Sequence, residues 1–218
     1  MDSNLYLIYG GSAIKSYKTI PGYPLIKIDT DKITQNARKI IRMCSKHSIE
    51  AYPVLKAACG FAPPVDAALK ACPEGVFDSS ITDLAAAGGA GNTKIRRGLL
   101  RLFSKNELAC NREYLDALDY FFVSDMYHLK ALGELKPGAA VILAVDSGDL
   151  REGIPLGELD GFIAAALKVK TVRIFGAATN HACFSGIVPT APIIDKFVEK
   201  IEEAERKFGF EFQMVSGG

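Results

Sequence analysis

At 218 residues the chain suits one large domain or two small ones, and its 49% hydrophobic and 23% charged residues are those of an ordinary globular protein. A formal net charge of +1 excludes a strong electrostatic pull toward nucleic acid or an anionic membrane. The five cysteines (Cys44, Cys59, Cys72, Cys110, Cys183) form no CxxC pair, so neither a disulfide scaffold nor a zinc knuckle is indicated and no metal site is expected.

Met1-Asp2-Ser3-Asn4 has no basic leader start, and no apolar run reaches the length of a membrane span, so a cytoplasmic location is expected. The first apolar run, Leu5-Tyr6-Leu7-Ile8-Tyr9, reads as a strand, either part of a barrel or an arm pairing elsewhere. Asp29-Thr30-Asp31 is a helix start signal ahead of Ile33, Ala37, Ile40 and Ile41, which predicts a helix over 30–44. From there short apolar runs alternate with amphipathic ones. Strands are predicted over 52–55, 76–78, 97–102, 120–124, 140–146, 172–178 and 211–216. Helices are predicted over 64–72, 81–87, 105–110, 126–135, 156–168 and 191–208. The run Ala140-Val141-Ile142-Leu143-Ala144-Val145 is apolar throughout, as in a parallel sheet covered on both faces. Repeated βα units of this kind make a barrel or a doubly wound sheet. No GxGxxG follows a strand, which disfavours dinucleotide binding; Gly88-Gly89-Ala90-Gly91-Asn92 follows a helix and reads as its C-cap and turn.

Four strand ends carry chemistry. Lys56 follows the first short run, where the mouth of a barrel would lie, and lysine is the side chain that forms a Schiff base with a carbonyl cofactor. Asp146-Ser147-Gly148-Asp149-Leu150-Arg151-Glu152-Gly153 brings acids, glycines and a guanidinium together; the planar fork of Arg151 suits a phenolate, carboxylate or phosphate, and equally its own acidic neighbours. Thr179-Asn180-His181-Ala182-Cys183 places hydroxyl, amide, imidazole and thiol at the next strand end. Ser216-Gly217-Gly218 offers a hydroxyl and bare main-chain N–H groups to an anion. Asp78-Ser79-Ser80 reads as a helix cap.

On these motifs the chain resembles the alanine-racemase-like, fold-type III family of pyridoxal-phosphate enzymes, most closely its ornithine racemase branch. Pro24-Leu25-Ile26-Lys27-Ile28-Asp29, Leu55-Lys56-Ala57-Ala58-Cys59-Gly60, the Asp146 to Gly153 loop, the stretch from Thr179 to Thr190, and Val215-Ser216-Gly217-Gly218 carry the resemblance, in order and at plausible spacing. It implies an α/β fold of the (β/α)8 TIM-barrel type over 23–218, preceded by an extension over 1–22, and lacking the eighth strand and the C-terminal β domain of the full-length racemases. It implies pyridoxal 5'-phosphate as cofactor, attached to Lys56 as an aldimine, with Arg151 near the phenolic oxygen, Asn180 beside the ring, and Ser216, Gly217 and Gly218 at the phosphate. Lys56 would serve one face of the substrate α-carbon, with Cys183 and His181 as candidates for the other. The implied activity is racemisation of an amino acid by a homodimer; the alternative is a non-catalytic single-barrel protein that binds the cofactor.

Overall fold

The computed structural model describes residues 5–9, 12–14, 26–89, 94–181, 183 and 187–217, with side chains from residue 26 onward. The chain divides into two compact units, Met1–Arg97 and Gly98–Gly218.

In the first unit β1 (Leu5–Tyr9) pairs antiparallel with β2 (Ser12–Ile14) and with β3 (Ile26–Asp29). The opening apolar run therefore pairs as an arm in a three-stranded antiparallel sheet rather than standing in for a barrel strand. The rest of the proposed extension, residues 1–4, 10–11 and 15–22, lies outside the described residues. Helix α1 (Thr30–Ser45) starts where its cap signal predicts: the Asp29 carboxylate accepts from Lys32 N–H at 3.0 Å. The buried Thr34 hydroxyl ties α1 to α2 (Ala62–Leu69), lying 2.9 Å from the Ala67 carbonyl. Helix α2 opens on Pro63 and Pro64, tolerated because first-turn N–H groups have no helical partner anyway. The predicted strand over 52–55 shrinks to a parallel bridge of Val54 with Phe77, flanked by Leu55 N–H to Phe77 O (2.9 Å) and Phe77 N–H to Pro53 O (3.0 Å). Pro53 has no N–H to extend the ladder, and the chain turns into a 3-10 helix at Lys56–Ala58. Strand β4 (Gly75–Asp78) is buried throughout, and Ser80 caps α3 (Ile81–Ala86) by accepting from Asp83 N–H. Gly88 and Gly89 follow α3 with positive φ, as a helix exit requires; Ala90 to Asn92 lie outside the described residues. Strand β5 (Arg96–Leu99) begins in this unit, with Arg96 N–H on the Glu74 carbonyl.

In the second unit the end of β5 pairs in parallel with β6 (Tyr120–Val123), β6 with β7 (Ala139–Asp146), β7 with β9 (Val172–Ala178), and β9 with β10 (Met214–Ser216). The two-residue β8 (Ile154–Pro155) adds to β7. Helices α4 (Lys105–Cys110), α5 (Met126–Leu135), α6 (Leu159–Ala166) and α7 (Ala191–Phe208) fall in the intervals, three of them on the predicted bounds. Val141, Ile142, Leu143, Phe121, Leu129, Leu132, Ile163, Phe197 and Ile201 are among the core residues. The apolar stripe of α7 turns Phe197, Ile201 and Ala204 inward at helical spacing, and Gly209 closes the helix with φ 67°. The strand predicted over 211–216 starts late because the Glu205 carboxylate takes the Phe212 N–H at 2.8 Å, and pairing resumes with Gln213 N–H on Phe175 O.

Candidate active site

The elements bring the predicted residues to the C-terminal ends of their strands. In the first unit Lys56 stands two residues beyond the Val54 bridge, exposed, on the opening residue of the 3-10 helix. Two successive left-handed residues, Cys59 (φ 46°) and Gly60 (φ 71°), turn the chain away behind it, and a β-carbon at Gly60 would come 2.6 Å from Asp83 Oδ1. Asp78, buried at the end of β4, is tethered by its own turn, with Oδ1 accepting from the Ser79 and Ser80 N–H groups.

In the second unit the Asp146 carboxylate organises the loop after β7, accepting from Gly148 N–H at 2.8 Å and Leu150 N–H at 3.1 Å. Arg151 is held in that loop by the Glu152 carboxylate next to it. Glu152 first, and the Cys183 thiol second, raise the guanidinium above its ordinary pKa, so Arg151 is a fixed cation with Cys183 beside it. The alternative of acids pairing with this arginine thus holds in part.

After β9 the residues separate by environment. Asn180 is exposed and Cys183 is exposed, whereas His181 is only 8% exposed. His181 Nε2 lies 2.9 Å from Ser147 Oγ, which in turn lies 2.6 Å from the Thr179 hydroxyl. His181 Nδ1 is buried and has no partner among the described residues. Thr179 N–H donates to the Ser216 carbonyl at 3.0 Å, which anchors the end of β10 beside the same strand end. Gly217 leaves open space next to its main chain: a β-carbon there would meet no atom within 4 Å. Gly218 lies outside the described residues.

Two members of this cluster, Ser147 and Thr179, stand inside strand-end stretches that the sequence singles out, though neither is a candidate site residue there. Their signal is positional: each is the first residue or so past one of two adjacent parallel strands. Among the described residues no group of three or more His, Cys, Asp or Glu side chains is arranged to hold a metal ion, and no helix is long and apolar enough to cross a membrane.

A repeating parallel βα frame with polar residues gathered at the carboxyl ends of its strands is the arrangement of the α/β-barrel class. The family model "Alanine racemase, N-terminal domain" matches residues 28–218, and the chain belongs to that family. A lysine racemase of Thermotoga maritima is 32% identical over 204 residues, covering 90% of this chain and 54% of the relative. An ornithine racemase of Acetoanaerobium sticklandii is 28% identical over 204 residues, covering 90% of this chain and 55% of the relative. The chain spans about half the length of the curated relatives it matches. Among solved structures, a D-threonine aldolase from Filomicrobium marinum superposes with a TM-score of 0.70 at 17% identity, covering 87% of this chain and 54% of that one. An alanine racemase from Streptomyces lavendulae gives 0.65 at 21% identity, covering 85% and 50%. These likenesses show the fold, the barrel-type α/β arrangement that the motifs imply.

Proposed function

We propose that the chain, over 23–218, is the cofactor-binding barrel domain of a pyridoxal-phosphate-dependent amino-acid racemase, with residues 1–22 as an extension to it. The observation that carries this reading is the family match over 28–218, which takes in Lys56, Arg151, Asn180 and Ser216-Gly217 in order. The two curated relatives act, by their names, on lysine and ornithine, which favours a basic amino acid as substrate.

The residues fit such a cofactor. The open space beside the Gly217 main chain suits a phosphate, Arg151 is a permanent cation for an oxyanion, and a buried ring nitrogen of His181 has no partner among the described residues. When bound, pyridoxal phosphate supplies an electron sink that acidifies the substrate α-carbon. Lys56 would hold it covalently through Nζ and then take or return the α-proton on one face. Arg151 would hold the phenolic oxygen, Asn180 would flank the ring, and Ser216 and Gly217, with Gly218, would donate to the phosphate. Cys183 and His181 are the candidates for the proton on the opposite face. A dimeric, cytoplasmic enzyme is part of the same reading.

Adding pyridoxal phosphate should give a lysine-bound chromophore that borohydride fixes onto Lys56, as read by peptide mass. A Lys56→Ala chain that keeps the chromophore would sink the assignment. Chiral chromatography of L-ornithine, L-lysine and L-alanine after incubation tests the activity. Cofactor binding with all three left optically unchanged would favour the non-catalytic, cofactor-holding alternative.

A further inference from the structure

Residues 147–153 form an excursion whose two ends are neighbours, because Asp146 at the end of β7 pairs with Pro155 of β8. Leu150 and Arg151 lie within it. Leu150 has φ 55°, in the left-handed region that a residue with a β-carbon enters at a cost. Its side chain is 85% exposed, so packing does little to offset that cost. The hydrogen bond that holds Leu150 is its N–H on Asp146 Oδ1 at 3.1 Å, with Gly148 N–H on the same oxygen at 2.8 Å. A strained residue persists only where its surroundings over-determine it. Here that surrounding is a carboxylate oxygen carried on a strand whose Val141, Ile142 and Leu143 are buried. Arg151 comes next in the chain, so the sign of φ at Leu150 sets the direction in which its backbone leaves. Its guanidinium rests on the Glu152 carboxylate with the Cys183 thiol beside it, and the fork has N–H donors enough for a further acceptor.

We propose that Asp146 is a positioning residue for Arg151: by clasping Gly148 and Leu150 it presents the guanidinium, already oriented, to an anionic oxygen of a small ligand at the end of β7. On the racemase-domain reading above, on which the ligand rests, that oxygen is the phenolic oxygen of pyridoxal phosphate. A cation held in place before its ligand arrives loses little freedom on binding, and a strand-borne clasp supplies that hold where an unpinned loop does not. The acceptor oxygen does this, not the negative charge, so an amide oxygen in its place serves as well.

The test titrates each chain with pyridoxal phosphate and with 3-deoxypyridoxal phosphate, which lacks the phenolic oxygen. Asp146→Ala should weaken pyridoxal phosphate by about tenfold, the order of one hydrogen bond to a charged group, and leave the deoxy analogue unchanged. Asp146→Asn, whose amide oxygen can take both N–H groups, should bind both ligands as the parent does. Arg151→Gln should lose at least as much as Asp146→Ala, and the double variant no more than Arg151→Gln, since one residue acts through the other. Should Asp146→Ala fail to fold, Leu150→Val probes the same clasp. A β-branched residue resists φ 55°, so the same selective loss is expected, whereas Leu150→Gly should match the parent. Full affinity in Asp146→Ala, equal losses for the two ligands, no rescue by Asp146→Asn, or losses that add with Arg151→Gln would each overturn the proposal. Backbone chemical shifts of the cofactor-free chain add a readout without ligand: Leu150 should be left-handed in the parent and in Asp146→Asn, but not in Asp146→Ala. A chain with that pattern that takes no pyridoxal phosphate would overturn the racemase reading and the ligand named here, and leave the clasp standing. A parent in which Leu150 is not left-handed would remove the clasp whatever binds.

Discussion

Gly153 lies against the main chain of Asp146: a β-carbon at Gly153 would stand 2.6 Å from the Asp146 amide nitrogen and 2.9 Å from the Val145 carbonyl carbon. The glycine also has φ 131°, outside the range that other residues adopt readily. The close approach lets the loop carrying Arg151 fold back so that Ile154 can pair with Val145. Gly153→Ala must therefore move backbone, not a side-chain tip. We expect a loss of about 2 kcal/mol or more in denaturant unfolding, while Gly157→Ala, where a β-carbon would meet nothing, stays close to the parent.

Arg101 and Glu107 form a two-pronged ion pair at the start of α4, and Arg101 also donates to the Leu102 carbonyl at 2.9 Å. Hydrogen bonding to Arg101 holds the Glu107 carboxyl below its usual range. A carboxylate depressed on folding stabilises above its unfolded pKa, about 4.3, and that contribution is lost as pH falls through the lower folded value. Glu107→Gln should cost about 1 kcal/mol at pH 7, a partly exposed pair being screened by water. The gap from the parent should close in acid below the folded value. Thermal melts of both chains across this range check the sign; a gap that widens in acid would contradict it.

Thr34 bridges α1 and α2 through a hydroxyl whose acceptors are the Ala67 carbonyl at 2.9 Å and its own-helix Thr30 carbonyl at 3.1 Å. Thr34→Val keeps the shape and removes the donor, leaving a carbonyl short of a partner. The expected cost is about 1–2 kcal/mol, and Thr34→Ser should recover most of it. Equal stability of the valine and parent chains would show that the bridge contributes nothing.

The cysteines should divide by burial. Cys59, Cys110 and Cys183 are exposed, whereas Cys72 is buried, and that burial pushes its thiol pKa up. Because the thiolate is the reactive form, an aromatic disulfide reagent at neutral pH should modify the three exposed thiols first. Cys72 should react only when the chain is unfolded; prompt labelling of Cys72 in the native protein would contradict its placement.

The repeating βα order was legible because parallel strands covered on both faces are apolar throughout and helices carry a 3.6-residue stripe; α4, α5 and α7 begin and end where caps and periodicity put them. Lys56, Arg151 and Ser216-Gly217 were legible as strand-end residues for the same reason, since a strand's end fixes what lies just beyond it. Strand lengths were less so. Whether Phe212 joined β10 depended on a carboxylate from α7, a competitor seven residues earlier that no local pattern reveals.

By itself the sequence determined the α/β class, the family motifs and the residue types at each strand end, because these follow from periodicity and from local chain order. Only the tertiary structure decided that His181 is buried rather than open to the mouth, and that Ser147 from the neighbouring strand end meets both its ring and the Thr179 hydroxyl. Hydrogen bonds between residues more than thirty positions apart depend on strand register and on which neighbours desolvate them, and neither quantity is written in any local stretch of the chain.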